Sequence, residues 1–232
     1  MLFRSLTYAL GIPSMMTLLV PVYGGLLVSL VLASKLAQRI GKRETFLVSG
    51  ILWIGALILV LFMRPGMPVA VLYAFGLAFG VGLAGVQSMV FAMFPDVPDV
   101  DELVSGARRE GLYSGIFALF RKAGGAFILF LVAALIGVAG YLPPIGDVKQ
   151  AQTPAFVGSL MAIFVGLPAL CVILALFAAW HYPLTRDRLE RIRRINAALR
   201  RGETLSPGDE AVRAELLPLM VAGPRPGRGG HA

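Results

Sequence analysis

Five stretches of the chain run almost free of charge for about the 20 residues that carry a helix across a roughly 30 Å hydrocarbon layer. They are Gly11 to Ser34, Thr45 to Met63, Pro68 to Phe94, Leu112 to Ala139 and Ala155 to Trp180. No other feature constrains the fold as tightly, because hydrocarbon offers backbone groups no partner outside the segment itself. Of the 232 residues, 57% are hydrophobic and 15% charged, above the roughly 45–50% apolar content of soluble domains. The sequence therefore predicts an all-α fold, a polytopic membrane helical bundle with five transmembrane helices over 1–182. A polar, Arg-rich tail follows over 183–232.

The formal net charge is +8, and clustered Lys and Arg can mark nucleic-acid binding. Their placement points to a membrane instead. Lys35, Arg39, Lys42 and Arg43 follow the first run, Arg108 and Arg109 the third, and a dense Arg cluster the fifth, while the alternate connections hold Arg64 and Lys149. By the positive-inside rule the cation-rich side is cytoplasmic. The amino terminus is then outside, the tail inside, and the expected location is the plasma (bacterial inner) membrane, with lipid as a partner and no nucleic acid. The first run is long and is followed by cations rather than a small-residue cleavage site, so it reads as a retained anchor. Cys171 stands alone, and His181 and His231 are too few and too far apart for a metal cluster, so neither a disulfide framework nor a metal site is expected. No Ser/His/Asp set or carboxylate pair suggests an enzyme.

Within the runs, Pro13 and Pro21 predict bends in the first helix. Gly80, Gly82 and Gly85 spell G-x-G-x-x-G, but a dinucleotide turn needs a preceding strand, and here the surroundings are continuous apolar helix. With Gly76 they read as close helix packing. Gln87 and Ser88 need partners in hydrocarbon, through an interhelical hydrogen bond or a substrate contact. The segment "FPDVPDVDELVSGARREG" reads as a charged loop whose mixed signs suit switchable ion pairs.

Arg121 and Lys122 lie inside the fourth run. Neighbouring helical residues point about 100° apart, so both cannot comfortably snorkel by one route, and an intramembrane cation is a pathway candidate by default. In the tail, Leu189, Ile192, Ile195 and Leu199 recur at helical spacing among arginines, the pattern of an amphipathic helix on anionic headgroups. A short helix after Ser206 and Pro207 and a disordered "GPRPGRGGHA" end complete the reading.

The stretch "PDVPDVDELVSGARREGLYSGIFALFRKAGGAF", with "GVAGYLP" and "YPLTRDRLERI", resembles the glycoside-pentoside-hexuronide:cation symporters, the melibiose permease group of the major facilitator superfamily. The resemblance implies that the five runs are the eighth to twelfth helices of a twelve-helix transporter. It places Asp96, Asp99, Glu102, Arg108 and Glu110 on a cytoplasmic gate, and Lys122 on a lysine facing the central cavity, with Gln87 a further candidate for the substrate path. "KLAQRIGKRETF" is similar to the superfamily's Arg-x-Gly-Arg/Lys-Arg/Lys signature, with Gln38 where Asp is usual.

The same resemblance implies that the chain is the carboxy-terminal half of a cation-coupled symporter for sugars or related small solutes, as a truncated or split form. Its partner is then a missing amino-terminal half or a second copy. The coupling cation, Na⁺ or H⁺, is expected only in the complete transporter, and no cofactor is expected in this chain. The alternative is a transport-inactive membrane interaction or scaffold protein derived from such a transporter.

Overall fold

The computed structural model describes residues 16–62, 67–141, 153–182, 184 and 186–221. Among these residues there are eight helices and no strand. They are α1 (Met16–Ile40), α2 (Lys42–Val60), α3 (Val69–Met93), α4 (Asp96–Ser105), α5 (Glu110–Val138), α6 (Pro154–Trp180), α7 (Arg186–Arg200) and α8 (Pro207–Val221). α1, α2, α3, α5 and α6 carry the five apolar runs and are long and apolar enough to cross a membrane. Pro13, Arg64, Lys149, His231 and the terminal "GPRPGRGGHA" lie outside the described residues.

α3 is the hub, packed on both α1 and α2. In lipid, helices hold together through close van der Waals contact and short polar links rather than water exclusion, and glycine allows that closeness. A Cβ on Gly80 would collide with the Val22 carbonyl of α1, and one on Gly82 would lie 2.7 Å from the Trp53 backbone of α2. Ser29 adds a link of 2.8 Å from its hydroxyl to the Val81 carbonyl. These glycines therefore serve helix packing inside one continuous helix. α6 packs on α2 through Leu57, Val60 and Val165. α5 stands apart with none of its residues buried, touching α4, α6 and, through Phe117, the Phe91 ring of α3 at 5.8 Å between centroids.

One end of the bundle gathers most of the charges of the described residues. Gly41, at φ 100°, takes a left-handed backbone that glycine adopts without strain, and it lets α2 start one residue after α1 ends. Arg43 then donates to the Ala179 carbonyl at 3.0 Å and the Trp180 carbonyl at 2.5 Å. It gives a partner to the Trp180 carbonyl at the end of α6 and adds a second donor to the Ala179 carbonyl, which also accepts from the Tyr182 N–H at 3.1 Å.

Two expectations are corrected here. The acidic segment is not simply a loop, since Asp96–Ser105 is helical. Pro95 interrupts the run out of α3, Asp96 and Asp99 sit in the first turn of α4 where the helix dipole favours anions, and Gly106 closes it at φ 69°. The apolar stripe of the tail does not lie on headgroups either: Ile192 and Ile195 are buried against Leu103 of α4, with Val100, Leu184, Leu205 and Val212 around them. The protein's own acidic helix offered that stripe an apolar surface, leaving only Leu199 of the predicted four markedly exposed.

Candidate functional site

Asp96, Asp99 and Glu102 recur every third residue along α4, which places them on neighbouring positions of a helix surface. α7 presents the complement. Arg193 reaches Asp96 at 2.9 Å and Asp99 at 2.8 Å, Asn196 donates to the Asp99 carbonyl at 2.7 Å, and Arg200 grips Glu102 with two nitrogens, both at 2.5 Å. A planar guanidinium matches a carboxylate through two parallel bonds, so Arg200 fixes the register of α7 along α4.

Asp96 is the junction. Lys42, the first residue of α2, donates to both of its oxygens at 2.7 and 2.8 Å and to the Ala92 carbonyl of α3 at 2.6 Å. The Asp96 side chain is 3% exposed and that of Lys42 30%. One buried carboxylate thus ties the start of α2 to α4 and α7. Burial pushes the Asp96 carboxyl up, with Lys42 and Arg193 pulling against it. The Glu102 carboxyl moves the other way, held low chiefly by the hydrogen bonds from Arg200. Beside Asp96, burial and then the Asp96 charge push the Tyr182 hydroxyl up to about 12. That hydroxyl is buried and has no hydrogen-bond partner among the described residues.

Arg108 pairs closely with Glu110 and stands 3.9 Å from Glu102. Glu110 is the first residue of α5 rather than part of a loop. A cavity of about 330 Å³ opens between α4 and α7, lined by Asp99, Arg108, Glu110, Arg193, Asn196 and Arg200. All five residues expected at the gate therefore lie in one cluster. Arg193, Asn196, Arg200 and Lys42 complete it without having been singled out from the sequence. The available signal was the spacing of Arg193 and Arg200, seven residues apart on the flank of the apolar stripe, opposite acids spaced to meet them. Gln38 takes part through its backbone, whose carbonyl accepts from Arg186 at 2.5 Å.

The substrate-path candidates stand elsewhere. Lys122 and Arg121 are both exposed on α5. Gln87 is exposed on α3 and makes no hydrogen bond with the described residues, so the interhelical bond considered for it is not formed among them. Ser88 is satisfied locally by the Ala84 carbonyl, one turn back in its own helix.

Apolar helices of spanning length, joined at one end by ion pairs between a connecting helix and a tail helix, define an integral membrane protein built as a helical bundle. Residues 6–186 match the family model described as MFS/sugar transport protein, and the chain belongs to that family of the major facilitator superfamily. It is 33% identical to an uncharacterized symporter of Synechocystis sp. over 73% of this chain and 31% of that protein. It is 29% identical to a glucuronide carrier protein homolog of Escherichia coli, over 80% of this chain and 40% of that protein. A provisionally named sulfoquinovose importer of Escherichia coli is 31% identical, over 73% of this chain and 35% of the importer. The chain thus spans about a third of the length of the curated relatives it matches. These relatives carry the names of transporters, not of enzymes. No solved structure matches the chain significantly.

Proposed function

We propose that the chain supplies one wall of the solute path and the cytoplasmic gate of a cation-coupled symporter for sugars or related small solutes. The observation that carries this reading is the clasp of α4 to α7 at the charged end, in a member of the sugar-transport family. By the positive-inside rule that end is cytoplasmic, in the plasma membrane of a bacterium. Symporters of this kind hold substrate where two helical repeats meet and rock one against the other. A gate in such a cycle must close firmly and open reversibly. The arginine side chains of the clasp are 43–48% exposed, and ion pairs in contact with water contribute little net stability, so breaking them is within reach of a conformational step.

Arg108 is placed to take Glu102 when Arg200 withdraws, which keeps the carboxylate paired in both states. Lys42 and Asp96, the more buried pair, form the fixed side of the gate. The partner that completes the path is an amino-terminal half or a second copy, and the Na⁺ or H⁺ site belongs to that complete transporter. In it, Lys122 faces the solute path, with Gln87 as a second polar contact.

The test joins the chain to the amino-terminal helices of a relative and follows accumulation of a labelled glucuronide under an imposed Na⁺ or H⁺ gradient. Lys122→Ala abolishes accumulation while immunoblotting shows unchanged insertion; unchanged accumulation removes Lys122 from the path. A scaffold derived from a transporter would instead bind without flux in both proteins.

A further inference from the structure

The cavity of about 330 Å³ between α4 and α7 has a lining that the clasp does not use up. Arg193 gives Nε to Asp99 and Nη2 to Asp96, and Arg200 gives Nε and Nη2 to Glu102. A guanidinium carries five N–H donors in a planar fork, so the clasp leaves donors on both. Arg108, on the same lining, pairs with Glu110 and keeps donors in the same way. Asn196 is 2% exposed and donates to the Asp99 carbonyl, while its buried carboxamide oxygen has no hydrogen-bond partner among the described residues. A buried acceptor left without a donor costs about 1–3 kcal/mol.

The lining is chemically mixed. Three guanidiniums stand with two carboxylates, Asp99 and Glu110, which leaves a small positive excess. Guanidinium forks match phosphate oxygens in bidentate geometry. The carboxylates repel a bare anion but accept hydrogen bonds from hydroxyl groups. A molecule carrying both a phosphate and hydroxyls uses the whole lining, whereas inorganic phosphate meets only the first part and a neutral sugar only the second. The volume is at the small end of the roughly 300–1,000 Å³ of small-molecule sites, the size for one sugar ring.

We propose that this cavity binds a hydroxylated phosphate monoester, the chemistry of a monosaccharide phosphate, and that the bound molecule holds the clasp closed. The phosphate takes donors from Arg108, Arg193 and Arg200, and the hydroxyls donate to Asp99, Glu110 and the free oxygen of Asn196. These residues belong to α4, the turn after it, the start of α5 and α7, so one ligand ties together the elements that an opening gate separates. The closing effect rests on the gate reading given above; the binding does not. Phosphorylation of an entering sugar is the class of reaction that supplies such a molecule on the cytoplasmic side, which makes the site a feedback brake on entry.

The test titrates the full chain in neutral detergent calorimetrically with glucose 6-phosphate, glucose and inorganic phosphate. Glucose 6-phosphate binds roughly ten-fold more tightly than either of the others, the lower end for one hydrogen bond to a charged group. Arg108→Gln, which leaves Arg193 and Arg200 on their acids, lowers that affinity by about the same factor. Glu110→Gln removes a negative charge from the lining, strengthens binding of inorganic phosphate and narrows the preference for glucose 6-phosphate. Circular dichroism confirms that each variant keeps its helix content. Glucose 6-phosphate binding no tighter than inorganic phosphate, or unchanged in the Arg108 variant, overturns the site. For the closing effect, the joined transporter is reconstituted with its cytoplasmic side inward and with glucose 6-phosphate or inorganic phosphate trapped in the vesicles. Entry of labelled glucuronide is lost with saturating glucose 6-phosphate and kept with phosphate; equal entry with the two overturns the brake. A joined transporter inactive under every condition, with glucose 6-phosphate still bound by the full chain, contradicts the gate reading and upholds the site.

Discussion

Asp96 receives hydrogen bonds from two cations while its side chain is 3% exposed. Removing one member of a buried pair costs about 3–5 kcal/mol, because the other charge is left without compensation. Asp96→Ala belongs at the lower end of that range, since Lys42 keeps 30% exposure and water shares in its solvation. Thermal unfolding in detergent checks this, and a variant as stable as wild type would show that the junction is not structural. Lys42→Met with Asp96→Leu, which removes both charges, is expected to be less damaging than either single change. Glu102 and Asp96 also titrate in opposite senses. The lowered Glu102 carboxyl adds stability that is fully present above its unfolded value of 4.5 and disappears as pH falls through the lower folded value. Asp96 is raised above 3.8, so the folded protein takes up that proton earlier on acidification. Site-resolved NMR titration should therefore find the Asp96 carboxyl displaced above 3.8 and the Glu102 carboxyl displaced below 4.5; a displacement of either in the opposite sense contradicts the assignment of burial to one and pairing to the other.

Helix packing depends on where glycine removes bulk. Gly80→Ala forces α1 and α3 apart at the Val22 carbonyl and is expected to cost about 1–3 kcal/mol, as overpacking does. Gly55→Ala, where nothing lies within 4 Å of the added carbon, is expected to change thermal stability little; equal losses at the two positions would argue against close packing as the role of Gly80. The five spans were legible because hydrocarbon imposes one requirement on every residue within them. The glycines of α3 were legible for the same reason, since a polar-ligand turn has no place in an apolar helix. α4 was not, because four acids in ten residues look solvated until their cations are known, and those cations are Lys42, 54 residues earlier, and Arg193 and Arg200, more than 90 residues further along the chain. The apolar stripe of α7 was legible as a stripe, but a lipid surface and a protein surface ask for the same pattern. Only the fold brings Leu103 under Ile192 and Ile195. Lys122 was legible as a candidate from its position in an apolar helix, and it stands exposed on α5, a helix with no buried residue.

At the scale of the whole molecule, the bundle has a core of α1, α2, α3 and α6, a charged end closed by α4 and α7, and a long helix, α5, with little packed against it. The proposed function makes this bundle one wall of a transporter, with the clasp pairs near water as its gate and the more buried Lys42–Asp96 pair as the gate's fixed side. The central claim is that the α4–α7 clasp is a working gate whose pairing, not merely whose residues, matters. The direct measurement is gradient-driven accumulation of labelled glucuronide by the joined transporter carrying Glu102→Arg, Arg200→Glu, or both. Each single reversal places like charges in contact at the clasp and is expected to lower accumulation at least ten-fold with insertion unchanged, while the double reversal restores most of it. Accumulation indifferent to the single reversals, or a double reversal no better than either, would contradict the account.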